Sequence, residues 1–132
     1  MKKILFLAWL LVLLDQVTKF LFQYKEYNLL SFFSIKYAEN TGSAFSLFQG
    51  YNLIFILVSF LALGLIIYYF RKYPLGLSFI IAGITGNLID RIFFGYVRDF
   101  ISVGFWPIFN IADACNVIGV CILIFYMFKE KN

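Results

Sequence analysis

Apolar residues in this chain come in runs longer than a globular core needs, separated by short polar stretches. Four runs, at about residues 4–22, 51–70, 74–93 and 110–128, match the roughly 20 helical residues that cross a hydrocarbon layer of about 30 Å. They predict an all-α integral membrane protein: one domain of residues 1–132 with four transmembrane helices and external loops at 23–50 and 94–109. The first run turns polar early. Ile4 to Leu14 spans only about 17 Å at 1.5 Å per residue, so the helix continues through Asp15, Gln16, Thr18 and Lys19. These groups then sit in the outer half of the bilayer. Met1-Lys2-Lys3 resembles the start of a secretory signal, but no small-residue cleavage site follows, so the segment is expected to remain as the first helix.

The loops have their own patterns. Phe33, Ile35 and Tyr37 alternate with Ser34, Lys36 and Ala38, the period of two of a half-buried strand. Asn40-Thr41-Gly42-Ser43 reads as a turn, and Ala44 to Phe48 as a returning strand. Together they predict a small extracytoplasmic β-ribbon, which needs the helix ends beneath it because a bare hairpin is marginal. The loop from Phe94 to Phe109 is rich in Gly and aromatic residues and reads as a short re-entrant or helical segment. Its Tyr96 and Trp106 suit the interfacial belt.

Composition agrees: 63% hydrophobic and 14% charged lies outside the range of soluble domains. Lys2, Lys3, Arg71, Lys72, Lys129 and Lys131 fall on one side, and Lys25, Lys36, Arg91 and Arg98 on the other. Because cytoplasmic flanks carry the basic excess, both termini are expected in the cytoplasm. The net charge of +4 is then a matter of topology and does not point to nucleic acid. Cys115 and Cys121 lie six apart in the fourth run, on different helix faces, which argues against a disulfide. The chain has no His and no Cys cluster, so no metal site is expected.

Ionisable groups within a membrane are costly and are functional candidates by default. Asp15 and Lys19 are spaced to pair along one helix, either as an ion pair that eases insertion or as an anchor for a ligand or neighbouring backbone. Asn87 shares a helix face with Asp90 and Arg91, just beyond Gly83 and Gly86, which allow close helix approach. That group is either scaffold or ligand contact. Asn110 and Asp113 fit a helix cap, but a cap does not account for Asn116, which continues the polar stripe one turn deeper. Asp99 sits in an apolar loop, and its neighbour Arg98 should point the other way if the segment is extended. Two carboxylates brought together in a low-dielectric site share a proton and titrate as a unit. If Asp99 faces Asp113, one acid activates water while the other protonates the departing amine. The helix N-terminus favours the charge on Asp113.

Five blocks carry a family resemblance: Asp15-Gln16-Val17-Thr18-Lys19, Asn40-Thr41-Gly42-Ser43-Ala44-Phe45, Gly86-Asn87-Leu88-Ile89-Asp90-Arg91, Val97-Arg98-Asp99-Phe100-Ile101 and Phe109-Asn110-Ile111-Ala112-Asp113. In that order they resemble the signature blocks of lipoprotein signal peptidase, the bacterial signal peptidase II. The resemblance implies an intramembrane aspartic endopeptidase of the bacterial plasma membrane, with its site at the extracytoplasmic face. It would remove signal peptides from diacylglyceryl-modified prolipoproteins, just before the lipid-modified Cys. It also implies Asp99 and Asp113 as the catalytic dyad, with Asp15, Asn40, Asn87, Asp90, Arg91, Asn110 and Ala112 lining or supporting the site. Lys19, Gly42 and Asn116 are grouped with these as supporting or substrate-binding residues. Membrane lipid is an expected partner, a monomer the expected state, and no cofactor is expected. Ala114 stands where the family suggests Ser, Arg98 adjoins the catalytic Asp, and the stretch from Asp99 to Asp113 is short.

Two rival readings are a small proton- or ion-coupled transporter and a structural subunit whose polar stripe binds other helices. A conduction path should continue to the cytoplasmic face, yet the inner halves of the last three runs hold little polar beyond Ser59 and Ser78.

Overall fold

The computed structural model describes residues 2–42, 50–69 and 72–131. Four helices lie over the four apolar runs: α1 (Lys2–Phe22), α2 (Asn52–Tyr69), α3 (Pro74–Phe93) and α4 (Ile111–Lys131). Of these, α1, α3 and α4 are long and apolar enough to cross a membrane, while α2 is a shorter apolar helix. Large apolar side chains such as Trp9, Leu13, Phe20, Leu57, Leu61 and Phe125 are exposed. In water that would be a liability, whereas in lipid it is the expected outer surface.

Close approach of backbones adds to apolar burial in holding the bundle together. The buried apolar cluster is small, made of Ala8, Val12 and Ala82 with Leu11, Ile81 and Ile89 against it. The α3–α4 seam depends on glycine. A Cβ at Gly83 would collide with Asn116 and lie 2.5 Å from the Ala112 carbonyl oxygen, and one at Gly119 would lie 2.7 Å from that of Gly76. One at Gly86 would sit 2.6 Å from Asp15 Oδ2. Helices drawn together by van der Waals contact in lipid need such small residues. Gly83→Ala should therefore destabilise the fold by about 1–3 kcal/mol. Gly64→Ala, whose added Cβ meets nothing, should leave the melting temperature in lipid or detergent level or higher. Equal melting temperatures for the two variants would count against a tight seam.

Among the described residues three strands cover one end of the bundle: β1 (Glu26–Leu30), β2 (Phe33–Asn40) and β3 (Val97–Val103), antiparallel in the order β1-β2-β3. The alternation over residues 33–38 thus belongs to a central strand, paired on one side with Glu26–Leu30. The expected return strand at 44–48, like the Ser43 end of the turn and Arg71 of the basic flank, lies outside the described residues. The segment read as re-entrant or helical instead contains β3. Val97, Arg98, Asp99 and Phe100 are all buried, so the strand is covered on both faces and shows no polar–apolar period. After Val103 the chain turns through Gly104, at a φ of 52°. It then returns so that Phe109 pairs with Ile101 in reciprocal bonds of 2.8 and 3.0 Å. That return sets the start of α4 beside the middle of β3.

Candidate active site

The fold brings Asp99 on β3 and Asp113 on α4 to opposite sides of one residue, Asn110. Its side-chain amide donates to Asp99 Oδ1 at 2.6 Å, while its backbone N–H donates to Asp113 Oδ2 at 3.3 Å. The Asp113 N–H donates back to Asn110 Oδ1 at 2.9 Å, completing the reciprocal cap expected from the sequence. A second asparagine serves each acid. Asn40 Nδ2 donates to Asp99 Oδ2 at 3.1 Å, and Asn87 Nδ2 to Asp113 Oδ1 at 2.8 Å. Gly42 fixes Asn40 by donating its N–H to Oδ1 at 3.0 Å, and Arg91 holds the Gly42 carbonyl at 3.3 Å.

The two acids differ in setting. Asp113 lines a cleft of about 420 Å³ together with Asn40, Ser59, Asn87, Arg91 and Asn116, while Asp99 is 2% exposed. Burial first, and then the Asp113 charge, push the Asp99 carboxyl up to about 7, against the opposing effect of the Asn40 and Asn110 hydrogen bonds. Asp99 is therefore largely protonated below neutrality. Asp113 lies in the first turn of α4.

A buried ionic frame stands behind the pair. The residue before each acid has its backbone N–H held by a carboxylate: Ala112 by Asp15 Oδ1 at 2.8 Å, and Arg98 by Asp90 Oδ2 at 2.8 Å. Lys19 joins those carboxylates, 2.8 Å from Asp15 and 3.4 Å from Asp90, and donates to Asn87 Oδ1 at 3.0 Å. Asp99 and Asp113 are thus each tied, one residue upstream, to a common lysine. Asp15 and Lys19 do pair, and the pair also anchors neighbouring backbone. Asn87 reaches the acids directly, whereas Asp90 serves the frame.

A sequence model of the signal peptidase (SPase) II family matches residues 7–129. The chain belongs to the signal peptidase II family. It is 41% identical to a lipoprotein signal peptidase of Clostridium novyi, over 90% of this chain and 93% of the relative. It is 40% identical to one of Enterococcus faecalis, over 92% and 86%. Two solved structures, each described as a bacterial membrane enzyme determined by the in meso method, share the fold. One superposes with a TM-score of 0.93 at 30% identity, covering 100% of this chain and 91% of its own. The other gives 0.88 at 30% identity, covering 98% and 94%.

In this signal peptidase II chain, all the residues singled out from sequence gather at one end of the bundle. Two others were missed. Arg98 grips Asp90 through Nε at 3.2 Å and Nη2 at 2.8 Å, and also reaches Gln16 Oε1 at 2.9 Å. Gln16 in turn donates to the Gly86 carbonyl at 3.0 Å. The signal for Arg98 was its strand parity, since it points away from Asp99 into the frame. Gln16 carried two signals, a polar side chain in an apolar run and a place in the first of the five blocks.

Proposed function

We infer that this chain is an intramembrane aspartic endopeptidase that removes the signal peptide from diacylglyceryl-modified prolipoproteins, just before the lipid-modified Cys, with Asp99 and Asp113 as its dyad. The observation that carries the reading is the shared asparagine: Asn110 bonds one carboxylate through its side chain and the other through its backbone. The chain is a multi-pass protein of the bacterial inner membrane. It acts as a single membrane unit and a monomer, with its termini in the cytoplasm and the sheet at the extracytoplasmic face.

The charged Asp113, open to the cleft, takes a proton from water as the water attacks the scissile carbonyl. The neutral Asp99 then supplies the proton that the departing amine needs. Asn40, Asn87 and Asn110 hold the two carboxylates in place, with Gly42 and Arg91 behind Asn40. Asp15, Lys19, Asp90 and the Ala112 N–H fix the spacing of the backbone that carries them, and Asn116 extends the cleft inward. The substrate's acyl chains stay in lipid, and the chemistry needs only water and the two acids.

Purified protein should cleave a diacylglyceryl-modified precursor and leave the unmodified one intact. Cleavage of neither would sink the reading. Because the productive form keeps a proton on Asp99, kcat/KM should fall as pH rises through about 7. The Asn40 bond favours the charged form of Asp99, so Asn40→Ala should move that falling limb to higher pH. A limb that stays put, or moves down, would contradict the assignment of the proton to Asp99.

A further inference from the structure

A transmembrane signal helix must unwind before its scissile carbonyl can meet a carboxylate. Each unwound residue leaves an N–H and a C=O without partners in a region where unpaired backbone is expensive. The wall of the cleft has to replace those bonds. Two of its asparagines are already committed: Asn40 is bonded to Asp99 and Gly42, and Asn87 to Asp113, Lys19 and Asn110. Asn116 is different. It lines the same cleft, yet its Oδ1 is buried with no hydrogen-bond partner. The Oδ1 edge of the amide packs against Gly83 of α3, where an added Cβ would collide with it, and finds no partner there. A buried amide oxygen left unpaired is a standing cost, which a leucine of the same branched shape would avoid.

Resting on the function proposed above, we propose that Asn116 is a substrate-positioning residue whose amide hydrogen-bonds the backbone of the unwound signal peptide just upstream of the scissile bond. Asn116 follows Asp113 by three residues and lies about 5 Å deeper along α4. An extended peptide covers that depth in about two residues, on the signal-peptide side of the cut. The Nδ2 edge can donate to a backbone C=O, and a flip of the amide would offer Oδ1 to a backbone N–H.

The test pairs a protein change with a backbone change. Purified parent, Asn116→Leu and Asn116→Ala are given a diacylglyceryl-modified precursor and two analogues, in which the peptide bond two or three residues upstream of the cut is an ester. An ester lacks the N–H and is a poorer acceptor. On the all-amide precursor both variants should lose about tenfold in kcat/KM, with the limb near pH 7 unmoved and the melting temperature of Asn116→Leu level or higher. One ester should cost the parent about tenfold and cost the variants nothing further. Variant turnover within twofold of the parent, or ester penalties equal in all three proteins, would overturn the proposal. A parent that cleaves no precursor at all would instead remove the function on which it rests.

Discussion

Asp99→Asn and Asp113→Asn should each lower cleavage of a diacylglyceryl-modified precursor by about a thousandfold or more, while the protein still inserts and folds. General acid–base catalysis by one positioned group is worth roughly 10²–10⁴-fold, and here the Asp113 charge also raises the Asp99 carboxyl. Removing the Asp113 charge takes away one of the two main influences holding the proton on Asp99. Asparagine keeps the shape of either side chain and can still accept from Asn87 or Asn110, so the fold has little reason to fail. Rates measured with purified, lipid-reconstituted variants, alongside their melting temperatures, check this. Near-normal turnover by either variant would mean that the acid is not part of the machinery.

Lys19→Met should be the most destabilising single change in the ionic frame. The Lys19 side chain is fully buried between Asp15 and Asp90, and removing one partner from a buried ionic group costs about 3–5 kcal/mol. The damage is uneven. Asp90 keeps the two-nitrogen grip of Arg98, whereas Asp15 is left with the Ala112 N–H and the Gln16 amide. Asp15→Asn added to Lys19→Met should therefore recover part of the lost stability. Because the frame holds the residue before each acid of the proposed dyad, cleavage should fall with the single change. A melting temperature that barely moves for Lys19→Met, or falls further in the double variant, would show that the lysine is not neutralising Asp15.

How far the sequence revealed this arrangement depended on the solvent each segment faces. Lipid demands long unbroken apolar runs, so the four helices could be located to within a few residues. The sheet was only half legible. β2 alternates because one side of it is wetter than the other, but β1 is exposed along its length, and β3 is buried on both faces through Arg98 and Asp99. A strand covered on both faces has no period, and the glycines and aromatics of the loop around it, residues 94–109, suggested a dip into the membrane instead. The candidate site was more legible than its scaffold, because carboxylates and amides among apolar helices have few reasons to be there. From their own chemistry the sequence left Asp90 and Lys19 open as scaffold or ligand contacts, and the return of the chain at Phe109 sets them behind Asp99 and Asp113.

The most direct test of the central claim, that Asp99 and Asp113 act as one unit, is the cleavage rate of the Asp99→Asn/Asp113→Asn double variant set beside the two single variants. Groups that act together are strongly non-additive, so the double variant should be no slower than the slower single. A double variant slowed by the product of the two single losses would mean that the acids work independently, and the shared-proton account would be contradicted.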